Sequence, residues 1–388
     1  MDFALTPDQE AIGEAVAAIC TGFDDDYWHK RDKEGGFPTD FYDAMAQGGW
    51  LGICVPEEYG GSGLGVTEAA IMMRTIAESG AGMSGASAIH INVFGLNPVV
   101  VFGTEEQKRR MLPPMVQGRE KSCFAVTEPN TGLNTTQLKT RAVKRGDRYV
   151  VNGQKVWIST AQVAHKILLL ARTTPLDEVK KPTHGLTLFY TDFDRSRIKV
   201  HEIEKMGRKA VDSNELFIED FEIPEADRIG EEGRGFEYIL HGMNPERVLI
   251  AAEAVGLGKL ALSRATAYAK ERIVFNRPIG QNQAIQHPLA INWMELEAAW
   301  LMIMSAAWQY DAGSPCGAAA NAAKYLAGEA GFNACQQAVM THGGFGYAKE
   351  YHVERYLREV MVPRIAPISP QLVMCFIAER VLGLPKSY

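Results

Sequence analysis

Along the first third of the chain, apolar residues recur at helical spacing. Ile12, Val16 and Ile19 follow the start signal Thr6-Pro7, and Pro38-Thr39 opens a second helix before FYDAMAQGGW. The glycine-rich stretch PEEYGGSGLG (56–65) breaks the pattern as a loop, after which Thr67 begins another helix. The segment ASAIHINVFGLNPVVVFG (86–103) is apolar nearly throughout, which predicts a buried helix. GTEEQKRRMLPPM follows, with Thr104 as cap and acidic residues in the first turn.

Near residue 120 the period changes. CFAVTE (123–128), TRAVKRGDRYVVNGQKVWIS (140–159), KILLLART (166–173), GLTLFYTDF (185–193) and NELFIEDFEI (214–223) are short and rich in β-branched and aromatic residues. RGDR and NGQ read as hairpin connections, so these segments predict an antiparallel sheet module. From GEEGRGFEYI (230–239) onward the helical period returns, with long segments at 245–274, 283–311, 316–341 and 370–382. The predicted fold is α+β, mainly α. An N-terminal helical domain (1–121) precedes a central antiparallel β domain (122–232) and a C-terminal four-helix bundle (233–388). There is no internal repeat and no low-complexity segment.

Composition narrows the function. Apolar residues make up 46% of the 388 and charged residues 22%, a globular balance. A net charge of −7 argues against a nucleic-acid binder, because no dense basic field meets phosphate. The six cysteines, at 20, 54, 123, 316, 335 and 375, form neither CxxC nor a zinc spacing, and a reducing compartment suits them. MDFALTPDQE is acidic and resembles neither a signal nor a transit peptide, and no apolar run approaches the roughly 20 residues of a membrane span. A soluble cytoplasmic protein is expected, with no membrane insertion and no metal.

Nucleotide and hydrolase motifs fail their context tests. GLGKLA (256–261) fits GxGxxA but lies inside a helical run with no preceding strand, and no Walker loop, GxSxG elbow or HExxH exists. One stretch poses a question. In GMNPERVLIAAEAVGLG (242–258), Asn244 can cap a helix and Pro245 fits a first helical position, so Glu246 reads as an ordinary first-turn acid.

Four further stretches, in chain order, change that reading. FAVTEPNTG (124–132), NGQKVWIS (152–159), ERIVFNRPIGQNQAIQHPLA (271–290) and THGGFGYAKEYHVERYLRE (341–359) together resemble the acyl-CoA dehydrogenase family of flavoenzymes. The resemblance runs through essentially the whole chain, including YGGSG and GTEEQK. It implies FAD between the β domain and the C-terminal bundle, and oxidation of an acyl-CoA thioester to the trans-2-enoyl-CoA. A carboxylate removes the α proton while flavin N5 takes the β hydride. Such a base needs a dry site that raises its pKa. An electron-transfer flavoprotein as acceptor, a homotetramer and a role in fatty or carboxylic acid degradation are also implied.

By the same resemblance, Phe124, Val126 and Thr127 lie along the flavin ring, with Trp157 and Ser159 covering it. Arg272, Phe275 and Gln283 match an RxxF…Q pattern through which a neighbouring subunit clamps the cofactor's pyrophosphate and adenine. Gly343 and Gly344 allow backbone to approach FAD, and Ser369 and Gln371 match positions touching it near the last helix. Met243, Asn244 and Arg247 match substrate-contacting positions. Leu133 stands where a serine is usual near the pantetheine arm, and His90 aligns near the bottom of the acyl pocket. A histidine lining that pocket favours a short, branched or polar acyl group, although lone histidines in apolar helices are often satisfied core residues.

The base is displaced from its commonest place. Many relatives carry it in a C-terminal YEGTxE-like stretch, where RIAPISPQLV (364–373) has Pro367 instead. Other branches, the isovaleryl- and long-chain-type enzymes, place it on the first bundle helix in an LER-like pattern, and Glu246-Arg247 falls there. Glu246 is thus the candidate base. Glu253, seven residues on along the same face, is expected to pair with a neighbouring lysine or arginine. Asn134, Asn276 and Met340 also depart from the family pattern. Two alternatives stay open: a same-fold oxidase or monooxygenase using oxygen, and a decayed acyl-CoA-binding protein.

Overall fold

The computed structural model describes residues 4–387. Its first helices are α1 (Pro7–Cys20), α2 (Asp25–Glu34), α3 (Thr39–Gln47), α4 (Val66–Ile76), α5 (Gly82–Phe94), α6 (Asn97–Phe102) and α7 (Glu105–Val116). Reciprocal capping boxes start α1 and α7, from Thr6 with Gln9 and from Thr104 with Gln107. Gln107 Nε2 also donates to the carbonyls of Ala226 and Arg228, at 2.8 Å each, which ties α7 to the sheet. The apolar run 86–103 forms two helices rather than one, because the chain breaks at Gly95-Leu96 and Pro98 opens α6.

The strands are β1 (Ser122–Ala125), β2 (Arg141–Arg145), β3 (Arg148–Ser159), β4 (Lys166–Arg172), β5 (Leu186–Asp192), β6 (Ile198–Glu202), β7 (Ser213–Pro224) and β8 (Arg228–Ile229). They run in the order β6-β7-β3-β2-β4-β5-β8, with β1 beside β4. Antiparallel joins predominate, yet β1 runs parallel to β4 and β2 meets β4 in parallel at Arg141–Arg172, so the sheet is mixed. RGDR does make the β2–β3 hairpin. Asn152-Gly153 does not turn the chain. It makes a bulge inside β3, where Gly153 lets Thr140 cross so closely that a Cβ would meet its Oγ1 at 2.4 Å.

The bundle comprises α8 (Gly235–Glu271), α9 (Gln283–Asp311) and α10 (Gly317–His342), followed by α11 (Val353–Glu359), α12 (Met361–Ile365) and α13 (Pro370–Arg380). Here the helix start read at Asn244-Pro245 is overturned. Pro245 lies inside the 37-residue α8, so Asn244 caps nothing and Glu246 is nowhere near a first turn. A proline there deprives the carbonyl of His241 of its helical donor, and His241 is exposed to water that can replace it. The GLGKLA glycines serve packing. A Cβ on Gly256 would meet the Arg74 carbonyl at 2.3 Å, and one on Gly258 would meet Leu296 at 2.7 Å.

One apolar core joins α1–α5 to α8–α10, and a second fills the sheet around Tyr149, Ile167, Phe189 and Phe221. A third, with Leu112, Leu168, Leu188 and Ile239, closes the seam between α6–α7, the sheet and the start of α8. Each fully buried side chain of this size contributes about 1.5–3 kcal/mol. Two helical stretches, Val66–Phe102 and Val353–Arg380, are apolar and long enough to cross a membrane, against the expectation from the sequence. Both are broken into shorter helices, and 67% of the most apolar 18-residue window of the first is buried. All six cysteines are free thiols.

Candidate active site

The site forms where α5 lies against the middle of α8. Glu359 fixes the start of α5, accepting from Ser84 Oγ at 2.7 Å and Ser84 N at 3.2 Å, while Arg355 donates to the Gly80 carbonyl at 2.8 Å. Two turns further along α5, His90 projects between two carboxylates of α8. Its Nδ1 is hydrogen-bonded to Glu253, and its Nε2 lies 3.9 Å from Glu246 Oε1. His90, Glu246 and Glu253 are 7%, 6% and 1% exposed. Neither His90 Nε2 nor Glu246 Oε2 has a hydrogen-bond partner.

Burial pushes the Glu246 carboxyl up to about 7, against the opposing charges of His90 and Arg247. For His90, burial disfavours the charged ring, but the charge and hydrogen bond of Glu253 and the charge of Glu246 prevail and raise its pKa. The expectation that Glu253 pairs with lysine or arginine is thereby corrected: its partner is a histidine from another helix. No lysine or arginine lies in salt-bridge reach of it among the described residues. Seven residues make about two turns, so Glu253 shares the face of Glu246 and meets the same helix.

His90 is linked to the sheet through aromatics. Phe94 meets the His90 ring edge-on at 4.9 Å and lies 5.2 Å from Phe124 on β1. Val126 is buried and Thr127 half-buried just beyond β1, and the Thr127 carbonyl accepts from Val156 N on β3 at 2.9 Å. A second bulge in β3 between Lys155 and Ile158 gives Trp157 a left-handed backbone (φ 62°) and leaves the residue 59% exposed. A bulky residue held there stores strain of about 1–3 kcal/mol, a mark of functional positions.

Two positioning residues had gone unnoticed in the sequence. Arg208, in the β6–β7 connection, donates to Ser87 Oγ and Ser159 Oγ at 3.1 Å and Ser213 Oγ at 3.4 Å, joining α5 to the end of β3. Nothing in MGRK separates it from a solvated loop arginine. Lys155 is fully buried, and its Nζ donates to the carbonyls of Val126 and Leu170 and to Glu128, at 2.8–3.0 Å. Its place beside Val156 in an apolar-rich strand was the available signal.

The remaining candidates fall elsewhere. Arg247 folds back along α8, donating to Asn244 Oδ1 at 3.0 Å and the Met243 carbonyl at 3.3 Å. Met243 packs on the seam cluster, and Leu133 is 55% exposed. Arg272 is exposed with its guanidinium 5.6 Å from the Phe345 ring, while Phe275 is 94% exposed and Gln283 lies on the surface. Gly343 and Gly344 have open space where a Cβ would stand. Ser369 Oγ caps α13 by accepting from Leu372 N at 3.3 Å, and Gln371 is exposed. Among the described residues, no hydrogen bond, ion pair or ring contact joins the Arg272 group to the Trp157 group.

These surfaces fit FAD. A bare indole face and the β1–β3 edge suit a flat heteroaromatic ring, and an exposed arginine beside open glycine backbone suits a pyrophosphate.

A sheet between helical layers, with a dry carboxylate linked to a ring-binding strand end through His90, Phe94 and Phe124, is an arrangement that suits a flavin oxidoreductase. Family comparison agrees. Residues 6–119, 123–221 and 233–382 match the N-terminal, middle and C-terminal domains of acyl-CoA dehydrogenase. The "Acyl-CoA dehydrogenase fadE12" of Mycobacterium bovis is 36% identical over 392 aligned positions, covering 100% of this chain and 99% of that protein. Butyryl-CoA dehydrogenase from Megasphaera elsdenii superposes with a TM-score of 0.93 at 29% identity, covering 98% of this chain and 100% of that one. A chain solved in a study of the electron transferring flavoprotein of Acidaminococcus fermentans gives a TM-score of 0.93 at 31% identity, with the same coverage. The chain belongs to the acyl-CoA dehydrogenase family, whose members are flavin oxidoreductases with FAD as cofactor.

Proposed function

We propose that this enzyme oxidises an acyl-CoA thioester to the trans-2-enoyl-CoA, with Glu246 removing the α proton. The observation that carries this reading is the Glu246 carboxylate itself, 6% exposed with one oxygen unpartnered, inside α8 and linked to β1 through His90, Phe94 and Phe124. A thioester α proton is weakly acidic, so an ordinary carboxylate is a poor match, and a carboxyl raised to about 7 narrows the gap. Bound FAD supplies the electron acceptor for the β hydride. Phe124, Val126, Thr127, Trp157 and Ser159 hold the ring in this reading. Lys155 fixes the Val126 carbonyl, and Arg208 fixes the Ser159 hydroxyl.

Arg272, Phe275 and Gln283 serve the cofactor of a neighbouring subunit, and Gly343 and Gly344 let backbone approach the cofactor; no contact joins Arg272 to this chain's ring edge among the described residues. A homotetramer accounts for the outer face of α9, where Met294, Leu301 and Trp308 stand seven residues apart at 56%, 50% and 66% exposure. An electron-transfer flavoprotein is the proposed acceptor. Six free thiols suit a reducing cytoplasm. The working domain division is 1–121, 122–232 and 233–388. Polar His90 beside the base favours a short, branched or functionalised acyl group over a long straight one.

The test is anaerobic titration of the FAD-loaded protein with straight, branched and functionalised acyl-CoAs. Bleaching of the visible flavin band by one class is the expected result and names the substrate class. A flavin that no class bleaches would favour the decayed-site alternative. Rapid reoxidation by air with peroxide release would make the enzyme an oxidase.

A further inference from the structure

His90 spans the gap between two carboxylates, and its two nitrogens are used differently. Nδ1 is bonded to Glu253, which fixes the ring's orientation and favours a proton on that nitrogen. Nε2 faces Glu246 at 3.9 Å, and neither it nor Glu246 Oε2 has a hydrogen-bond partner. Buried polar atoms without partners are rare, and two of them from neighbouring side chains point to use rather than to packing. A satisfied core histidine would have both nitrogens occupied.

We propose that His90, oriented and kept charged by Glu253, is a positioning residue that holds Glu246 ionised so that it can accept the α proton. This role rests on Glu246 being the base. As the Cα–H bond breaks, its proton passes to a Glu246 oxygen, turning carboxylate into carboxylic acid, and its electron pair stays on the thioester as the enolate. The imidazolium keeps both protons, and its ion pair with Glu253 is unchanged.

The surrounding charges make His90 the leading electrostatic support. Glu246 also faces Arg247 and Glu253 on α8 and Lys324 on α10, while His90 faces Arg208 from the β6–β7 connection. Arg247 is engaged with Asn244 and Met243, and Lys324 is engaged with the carbonyls of Arg364 and Ile368, at 3.2 and 2.6 Å. Arg247 Nε is also without a partner, but among the described residues His90 is the one cation with a nitrogen within 4.0 Å of a Glu246 oxygen.

The experiment isolates proton transfer from oxidation. Acetyl-CoA has α protons but no β carbon to give a hydride, so its α exchange in D2O, read by mass spectrometry, reports the base alone. Holoenzyme of the wild type, His90→Asn, Glu253→Gln, the double variant and Glu246→Gln is assayed across pH, with bound flavin confirming each fold. Wild-type exchange should turn on near the Glu246 value of about 7. His90→Asn should move that midpoint upward, lowering exchange at neutral pH about tenfold for each unit moved.

Glu253→Gln, nearly the same shape, should also raise the midpoint, because the uncharged side chain lets His90 lose its proton. In the His90→Asn background the same change should instead lower the midpoint, since it then only removes a negative neighbour. Packing damage has no reason to reverse sign. Unchanged midpoints in both single variants, with Glu246→Gln inactive, would overturn the role of His90 alone. Full exchange by Glu246→Gln would overturn the base assignment and this role with it.

Discussion

Replacing Glu246 by glutamine should make the folded protein increasingly more stable than wild type as pH rises from about 4.5 to about 7, with the full gain above that. The carboxyl is raised by burial from its ordinary 4.5 to about 7, with His90 and Arg247 opposing the rise. In the unfolded chain the same group ionises near the ordinary value. Between those two pH values the folded protein holds a proton that the unfolded chain has released, so stability falls as pH rises through the window. Above it the whole penalty is present. The difference between 4.5 and about 7, at about 1.4 kcal/mol per unit, amounts to about 3 kcal/mol.

Glutamine keeps the shape and avoids the charge. FAD-saturated wild type and Glu246→Gln, unfolded in urea at one fixed protein concentration, should therefore have nearly coincident curves near pH 4.5, where both buried groups are neutral. Near pH 8 the variant should be more stable by about 3 kcal/mol. A gap that stays constant with pH, or a wild type more stable than the variant at the alkaline end, would refute the reasoning. Such a result would mean that Glu246 is ionised and well paired throughout.

Two further substitutions probe the ring-binding edge. Trp157→Gly should relieve the left-handed backbone strain, leaving the apoprotein at least as stable by thermal melt (a gain of about 1 kcal/mol), while FAD affinity in equilibrium titration falls. An apoprotein clearly destabilised would show that the indole packs for the fold. Lys155→Met leaves the buried Glu128 charge with only the Lys139 and Thr140 amides as partners and takes the donor from the Val126 and Leu170 carbonyls. A loss of about 3–5 kcal/mol in urea unfolding is expected, and a loss under about 1 kcal/mol would contradict the assigned network.

The order of helices, sheet and helices was legible because hydrophobic period changes twice, near 120 and near 230. Glu246 stood out as the candidate base by displacement, an acid at the LER-like position in a chain with Pro367 at the commoner place. Its local setting was misread, since Asn244-Pro245 carries every sign of a helix start yet lies inside α8, where tertiary packing overrides the proline. Asn152-Gly153 was misread for a related reason: the dipeptide that suits a hairpin also suits a bulge under a crossing Thr140. The His90–Glu253 pair and the reach of Arg208 join residues 163 and 121 positions apart, and no local pattern encodes such meetings.

Catalysis by Glu246 is tested most directly by the reductive half-reaction of Glu246→Gln beside wild type. Both are loaded with FAD, checked for acyl-CoA binding through the shift of the flavin spectrum, and mixed anaerobically with the thioester class that bleaches the wild type. A variant that binds cofactor and thioester but reduces its flavin at least ~10²-fold more slowly is the expected result. Reduction at the wild-type rate would contradict it, and the base would have to be sought at another residue.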